Sequence, residues 1–473
     1  ADIGRQRLRL FRPCGLSAAP LASQTIRRVP NKESVKMKLK KLVVNNLFGH
    51  FNHTIPFQEE HITIITAPNG YGKTIVLKII DAIFNKNFGF LYLLDFTLIE
   101  LVTSDGTLLV RKDQNEDSTS GISISLEDTN QEEFRYRHDR VVRNIKRFPL
   151  HMIDSRLPFL TRVGEKEWID DRSGELIDID YIVENYSEML PDKYRPENIP
   201  DWLSHFVNSL KAHFIQDQRL ILRRVEMPHS RKQNFVDTIE KYAAELSDRI
   251  RESSDNSSKI SQQLDTTFPV RLLKKDYHFK AHTVDELKEQ LKLLQKKRAI
   301  LAKYNLLSSE QHLPDVYVFD EITDADTKVL TLYVEDTKQK LEAYDKLLQK
   351  IELFSSILNK KRLSFKQIDI DPDKGFMFET DKGRPLKLTQ LSSGEQHQVV
   401  LLYELIFKTQ EDVLVLIDEP EISLHVAWQK DFLDDLKRII DIQNMVVVVA
   451  THSPQIINSQ WNLVVDLEEG AYA

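Results

Sequence analysis

Apolar positions in this chain keep two different rhythms, and the change between them divides it. Early on they come in strand-length runs: Leu39, Leu42, Val43 and Val44 in the stretch that Met37 opens, then residues 62–66, 98–103, 108–112 and 121–127. Asp105-Gly106, between the third and fourth of these, accepts left-handed backbone and so predicts a β-hairpin. After residue 66 the pattern turns helical to about Phe84, so strand and helix do not alternate regularly and a mixed sheet is expected. A further helix over residues 199–210 leads into a short strand at His213-Phe214-Ile215, which ends at Gln216-Asp217-Gln218-Arg219.

Over residues 232–361 the rhythm changes. Lys, Glu, Gln and Leu dominate, a helical composition. Val334, Leu341, Tyr344, Leu348, Ile351 and Leu358, with Thr337 and Ser355 filling the seam, recur at alternating intervals of three and four, the mark of a coiled-coil stripe. Leu287, Leu291 and Leu294 begin a shorter partner helix and Pro314 falls in the connection. The expected object is a short antiparallel helical hairpin with arms of about 30–50 Å. Beyond it, residues 366–379 read as a strand pair and residues 391–408 as a motif leading into a helix. The β-branched runs 413–417 and 445–450 are continuously apolar, as strands buried on both faces must be. The fold class is therefore α/β: one head with a mixed sheet, made of residues 37–225 and 364–473 and split by a helical insertion at 226–363.

Composition narrows the field. The chain has 473 residues, 41% hydrophobic and 29% charged, which is ordinary for a globular protein with a large core. No apolar run is long enough to cross a bilayer, which excludes a membrane-spanning transporter subunit. The single Cys14 excludes an intrachain disulfide or a cysteine-rich zinc site and fits a reducing compartment, with the cytoplasm as the expected location. A net charge of -7 means that any nucleic-acid contact must come from a local patch. Residues 1–36 differ from the rest: six arginines lie among small residues and prolines, with only Asp2 and Glu33 acidic. That composition resembles a transit peptide, but the preferred reading is a leader or upstream extension without a packed core.

Four motifs carry chemistry. Ala67-Pro68-Asn69-Gly70-Tyr71-Gly72-Lys73-Thr74 lies between a strand and a helix, the context a phosphate-binding loop requires. Backbone N–H groups of its Gly-rich turn and the positive helix end converge on phosphate, Lys73 adds a point charge, and the Thr74 hydroxyl is suited to Mg²⁺. Ala67 stands where such loops commonly start with Gly, which is tolerable if its φ is negative. Val413-Leu414-Val415-Leu416-Ile417-Asp418-Glu419-Pro420 is an apolar strand ending in two carboxylates, Asp418 placed to hold Mg²⁺ and Glu419 to polarise an attacking water. Leu391-Ser392-Ser393-Gly394-Glu395-Gln396 opens a helix, either as an anion site formed by Ser392, Ser393 and Gly394 or as a helix cap. Thr451-His452-Ser453 follows the last apolar strand and brings an imidazole to the same side.

In this order the motifs resemble the ABC-type ATPase heads of SMC, RecF and OLD (overcoming lysogenisation defect) proteins over most of residues 37–465. The resemblance implies an ATP hydrolase using ATP and Mg²⁺, in which two copies, or a higher oligomer, sandwich nucleotide between one copy's loop and the other's Ser392 and Gly394. It implies that Gln218, with Gln216 as the alternative, senses Mg²⁺ and γ-phosphate, that Ser423 and His425 lie in the D-loop, and that His452 is the switch histidine. Ser393 departs from the commoner Gly of the signature. The segments Leu391-Ser392-Ser393-Gly394-Glu395-Gln396-His397, Asp418-Glu419-Pro420-Glu421-Ile422-Ser423-Leu424-His425 and Leu264-Asp265-Thr266-Thr267-Phe268-Pro269 look like those of antiphage ATPases of systems such as Septu and PARIS, which work with a separately encoded nuclease. OLD proteins carry a TOPRIM nuclease after the head, whereas this sequence runs only to Ala473. The expectation is therefore a sensor and scaffold for a nuclease on another polypeptide, answering a phage-derived trigger.

The alternative is a DNA-binding repair or chromosome ATPase of the SMC or RecF kind. Arg135, Arg137, Arg140, Arg143, Lys146 and Arg147, mixed with Phe134, Tyr136 and Phe148, are its best candidate surface, against the simpler reading of a solvated face. Lys296-Lys297-Arg298 and Lys360-Lys361-Arg362 read as exteriors of the helical arm. An ABC transporter ATPase is disfavoured by the long stretch between Thr74 and Leu391, and Glu421 makes no independent case for a second metal.

Overall fold

The structure is a computed structural model. It describes residues 37–112, 121–127, 129, 131–137, 150–157, 159–170, 176–179, 181–182, 199–215, 221–224, 234–273, 282–307, 323–360, 363, 365–424 and 426–468. In chain order the first half supplies β1 (Leu39–Leu47), β2 (Phe51–Pro56), β3 (Ile62–Thr66), α1 (Lys73–Phe84), α2 (Phe88–Leu93), β4 (Leu98–Thr103), β5 (Thr107–Lys112), β6 (Ile122–Leu126), β7 (Phe134–Tyr136) and α3 (Leu150–Arg156). It continues with β8 (Leu160–Arg162), β9 (Glu167–Asp170), β10 (Leu176–Asp178), α4 (Asp201–Asn208) and β11 (Ala212–Ile215). Then come β12 (Ile221–Arg224), β13 (Asn234–Asp237) and four helices, α5 (Thr238–Leu273), α6 (Val284–Lys303), α7 (Asp324–Glu342) and α8 (Asp345–Lys360). The last part contains β14 (Lys366–Asp371), β15 (Gly375–Thr380), β16 (Pro385–Leu386), α9 (Ser393–Tyr403), β17 (Leu414–Asp418), α10 (Phe432–Gln443), β18 (Val446–Ala450) and β19 (Val464–Asp466). The α/β class, the mixed strand directions and the helical interruption of one head are as the sequence predicts.

Two sheets build the head. An antiparallel sheet runs β2-β1-β4-β5-β6-β7, with the expected hairpin between β4 and β5. A parallel sheet runs β11-β17-β18-β3-β19, so its neighbours come from opposite ends of the chain. Its continuous apolar runs are explained by burial on both faces. Ile62, Ile64, Val415, Ile417, Val447 and Val449 point into one core with α8, α9 and α10, and Ile65, Leu414, Leu416, Val448 and Ala450 into the other with α1 and the antiparallel sheet. Each such side chain removed from water stabilises by about 1.5–3 kcal/mol, so an alternating polar pattern could not occupy these positions. On α1, Val76, Leu77, Ile80, Ile83 and Phe84 recur at helical spacing and are buried, and Asn85 and left-handed Lys86 end the helix.

The helical insertion differs from its sequence reading in pairing. The stripe from Val334 to Leu358 is two helices, broken at Ala343 and Tyr344, and α8 buries its apolar side in the head core. The antiparallel partner of α7 is α5: Arg271 binds Asp336 through both guanidinium nitrogens at 2.6 and 2.8 Å, and Lys340 pairs with Asp265. Nearer the head, Ser257 donates to the Lys340 carbonyl. The helix expected to be the antiparallel partner, α6, packs against α7, but its end continues beside α8 in the same direction, Lys297 meeting Asp345 at 2.5 Å and Lys303 lying in the field of Glu352. The outer part of α5 is held largely by polar contacts and has no regular apolar stripe, which is why hydrophobic spacing did not reveal it. Its 36 residues span about 54 Å. Pro269 lies inside it, and Thr267 and Arg271 donate to the Leu264 carbonyl nearby.

At its root α5 is clamped to the rest of the head. The β14–β15 turn lies against it, with the Ser247 hydroxyl bonded to the Pro372 carbonyl at 2.7 Å. Tyr242 donates to Glu404 at 2.7 Å and Lys408 pairs with Glu245 at 2.7 Å. Glu404 and Lys408 bound a π-helical turn that continues α9, where one uninterrupted helix was expected. On the other side of α9, Lys366 of β14 binds both oxygens of Glu395 at 2.7 and 2.8 Å. Burial alone would raise the Glu395 pKa, but the Lys366 ammonium and the Ser392 donors outweigh it and hold the carboxyl below its ordinary value.

Two predictions follow from these clamps. A Cβ at Gly375, whose φ is +76°, would lie 1.8 Å from the Ala243 carbonyl oxygen; Gly375→Ala is expected to destabilise by about 2–5 kcal/mol in urea unfolding. Because Glu395 is depressed, its contribution is present above the unfolded carboxyl pKa of about 4.3 and lost as pH falls through the folded value. Lys366→Met should lower stability by about 3 kcal/mol at pH 7, and the gap to wild type should narrow at pH 4, where the unpaired carboxyl takes a proton. A gap independent of pH would show that the ion pair contributes little.

Candidate functional site

Parallel register brings the ends of three strands together. Asp418 at the end of β17 pairs with Ala450 at the end of β18, and Ala450 pairs with Ile65 of β3, so the three following loops leave the sheet at one level. The loop after β3 is the predicted phosphate loop. Gly70 and Gly72 have φ of +93° and +86°, a conformation that L side chains enter only with strain. Gly72 is also short of space, since a Cβ there would lie 3.1 Å from Leu47 Cδ2. Ala67 is not among the residues with positive φ, so its Cβ is compatible with the loop. Pro68, Asn69 and Gly70 are exposed at its tip, whereas Tyr71 is half-buried.

Lys73 opens α1 and is only 5% exposed. Its ammonium donates to the Ala67 carbonyl at 3.0 Å and lies 3.9 Å from Glu419 Oε1, so it bridges the start of the loop and the acidic strand end. Next to it, Thr74 Oγ1 donates to Asp418 Oδ2 at 2.8 Å. A hydroxyl and a carboxylate at one strand end are the oxygen pair a hard divalent cation takes. Among the described residues no group of three or more His, Cys, Asp or Glu could hold a metal ion.

Glu419 has left-handed backbone, φ +40° and ψ +58°, as the chain turns sharply into the 3₁₀ turn Pro420–Ser423. That geometry is unfavourable by about 1–2 kcal/mol for a residue with a Cβ. It is held by the Glu419 N–H bond to the Ala450 carbonyl at 2.9 Å. His452 Nδ1 lies 3.8 Å from Glu419 Oε1 and 3.1 Å from Glu421 Oε1. Glu421 itself is 8% exposed and its Oε1 also accepts from Thr451 Oγ1 at 2.7 Å and the His452 N–H at 2.8 Å. This carboxylate fixes the loop that carries the imidazole, a role the sequence reading did not give it. The signal was present in Glu-Pro-Glu, which sets a second acid two residues beyond Glu419 on the same turn.

The Leu-Ser-Ser-Gly-Glu segment caps α9. Ser392 is the N-cap, its backbone N–H and hydroxyl donating to Glu395 Oε2 at 2.8 and 2.9 Å, and its hydroxyl accepting from the Glu395 N–H at 3.4 Å. The bland cap reading is thus correct as local structure. Ser392 and Ser393 are nevertheless exposed, and a Cβ on Gly394 would meet nothing within 4 Å, which leaves the helix end open to an anion. Gln216, Gln218 and His425 lie outside the described residues, and only the backbone of Ser423 is described. Of the basic patch, Arg135 and Arg137 are described, and Arg135 is paired with Glu133 at 3.1 Å; Arg140, Arg143, Lys146 and Arg147 lie outside.

The chain shares 34% identity over 124 residues with protein ea59 of Escherichia phage lambda, covering 25% of this chain and 23% of that protein. It shares 39% identity over 61 residues with the UvrABC system protein A of Clostridium acetobutylicum, covering 13% of this chain and 6% of that protein. Among solved structures it is similar to the Smc head domain of Pyrococcus furiosus with an extended coiled coil, bound to the C-terminal domain of ScpA. That likeness has 12% identity, 91% and 93% of the two chains covered, and a TM-score of 0.34. The SMC head domain of Thermotoga maritima gives 11% identity, 89% and 91% coverage and a TM-score of 0.28. No described helix is long and apolar enough to cross a membrane. A family described as an AAA ATPase domain matches residues 37–457, and the chain belongs to that family.

Proposed function

We propose that this chain hydrolyses Mg-ATP and closes on a second copy of itself when nucleotide is bound. The observation that carries the reading is the convergence of Lys73, Thr74, Asp418, Glu419 and His452 at the ends of β3, β17 and β18. In this reading the loop N–H groups and Lys73 bind the β- and γ-phosphates, and Thr74 and Asp418 hold the cation. Mg²⁺ would supply charge neutralisation of the phosphate oxygens. Glu419, beside Lys73 and His452, orients and deprotonates the attacking water, and Glu421 keeps His452 directed at the γ-phosphate. Ser392, Ser393 and Gly394 serve the nucleotide of the second copy, and Gln218 completes the cation environment. Residues 226–363 form the insertion between head halves 37–225 and 364–473.

The finer reading is a cytoplasmic sensor and scaffold for a separately encoded nuclease in antiphage defence, released or reset by hydrolysis after a phage-derived trigger. It rests on the resemblance of three segments: those beginning at Leu264, Leu391 and Asp418. Purifying the Glu419→Gln chain in Mg-ATP with its neighbouring gene products distinguishes this from DNA repair. A stoichiometric nuclease supports the scaffold; DNA without a protein partner overturns it in favour of an SMC- or RecF-like machine.

Lys73→Ala is expected to weaken ATP binding about 10- to 100-fold, the loss of one charge-assisted contact set. Glu419→Gln should bind ATP as wild type does and lose about 10²–10⁴-fold in turnover; wild-type turnover in that variant would exclude Glu419 as the base. Glu421→Gln keeps an acceptor for Thr451 and the His452 N–H but removes the charge facing the imidazole. It should lower kcat about 10-fold or more with little change in ATP affinity, as loss of an orienting partner does, and equal losses in both quantities would point to a folding defect instead.

A further inference from the structure

The residue after the loop's exposed tip, Tyr71, is held from outside the loop. His53 of β2 is 2% exposed, and its Nε2 lies 2.9 Å from the Tyr71 carbonyl oxygen. A carbonyl only accepts, so this contact requires the proton on Nε2, and the buried Nδ1 makes no hydrogen bond of good geometry that would compete for it. Phe51 stacks on the His53 ring, at 5.7 Å and 10° between planes, and packs on Tyr71 at 5.3 Å. Burial, the largest influence, lowers the imidazole pKa against the pull of the Tyr71 and Leu467 backbone carbonyls toward the charged form. The ring is thus neutral near pH 7 and has one N–H to give.

The Tyr71 carbonyl belongs to the peptide unit whose other end is the Gly72 N–H. A trans peptide is planar, with its C=O and N–H pointing in opposite directions. Fixing the oxygen toward β2 therefore fixes the Gly72 N–H away from β2. Gly72, at φ +86°, supplies without strain the left-handed backbone that follows this peptide unit.

We propose that His53 is a positioning residue for nucleotide binding: by donating to the Tyr71 carbonyl it aims the Gly72 N–H at the phosphates of ATP or ADP. The inference rests on the phosphate-loop reading and adds to it a residue outside the motif. A peptide free to rotate would present its carbonyl dipole to the phosphate part of the time, and preorganisation of such donors is what makes them effective.

The test compares ATP and ADP binding by calorimetry in wild type, His53→Phe, His53→Gln and Lys73→Ala, with thermal midpoints for each. His53→Phe keeps the stacked ring without the donor and should weaken both nucleotides at least 10-fold. The Gln amide nitrogen can take the place of Nε2, and His53→Gln should remain within about threefold of wild type. Wild-type affinity in His53→Phe, or an equal loss in folded Phe and Gln variants, would overturn the proposal. Should the Phe variant not fold, ¹⁵N spectra of the wild-type imidazole decide: the Nε2–H tautomer with and without ADP is required, and an Nδ1–H tautomer overturns it. If wild type itself fails to bind ATP, the functional reading falls. If wild type binds and Lys73→Ala binds about 10- to 100-fold more weakly, while His53→Phe binds normally, only the role of His53 falls.

Discussion

Everything at the site depends on the parallel register of β3, β18 and β17. Parallel strands place their carboxyl ends on the same edge of a sheet, so loops that are far apart in sequence leave it side by side. Pairing of Ile65 with Ala450, and of Ala450 with Asp418, sets the height of the phosphate loop, the His452 loop and the acidic turn to within a residue. A slip of one position would turn Ile417, Val449 and Ile64 to the opposite core and move Asp418 away from Thr74. The bond between Thr74 and Asp418 is the visible sign that the register is right.

Around this edge, rigidity comes from groups that have no place in the chemistry. Glu421, almost fully buried, accepts from the Thr451 hydroxyl and the His452 N–H and lies 3.1 Å from His452 Nδ1, and Gln429 in turn donates to the Glu421 and Leu424 carbonyls while accepting from Ser453. The capped start of α9 is fastened to β14 by Lys366, and its π-helical end to α5 by Tyr242 and Lys408.

The sequence made the strands of the head legible because each run obeys one simple demand: apolar on both faces in β17 and β18, alternating in β1 and β4. Lys73, Thr74, Asp418, Glu419 and His452 were legible for a related reason, since a motif's spacing and its strand context are both local. What was not legible is held by tertiary contacts between distant polar groups. The long α5 runs through Arg251-Glu252-Ser253-Ser254-Asp255-Asn256, where no apolar period exists, and its pairing with α7 is specified by Arg271, Asp336 and Lys340. Leu287, Leu291 and Leu294 are buried as expected, yet burial at regular spacing gives no direction, and α6 runs the other way from the hairpin it suggested. His53 escaped notice because a lone histidine in a strand of mixed polarity announces nothing until Tyr71 is seen beside it.

The splitting of the head has a consequence for how the chain comes to be folded. The antiparallel sheet, with all its strands before residue 137, can assemble as it emerges during synthesis. The strand that carries the phosphate loop cannot be completed then, because both its neighbours, β18 and β19, lie near the other end. Roughly 380 residues separate β3 from β18, which at about 5–20 residues per second leaves β3 with two open edges for some 20–80 s. Throughout that interval Ile62, Ile64 and Ile65 present an unpaired apolar strand. The nascent protein is thus at its most adhesive while its future nucleotide loop is already made and its acidic partner strand is not, and any factor that shields exposed strands would find its strongest claim on it there.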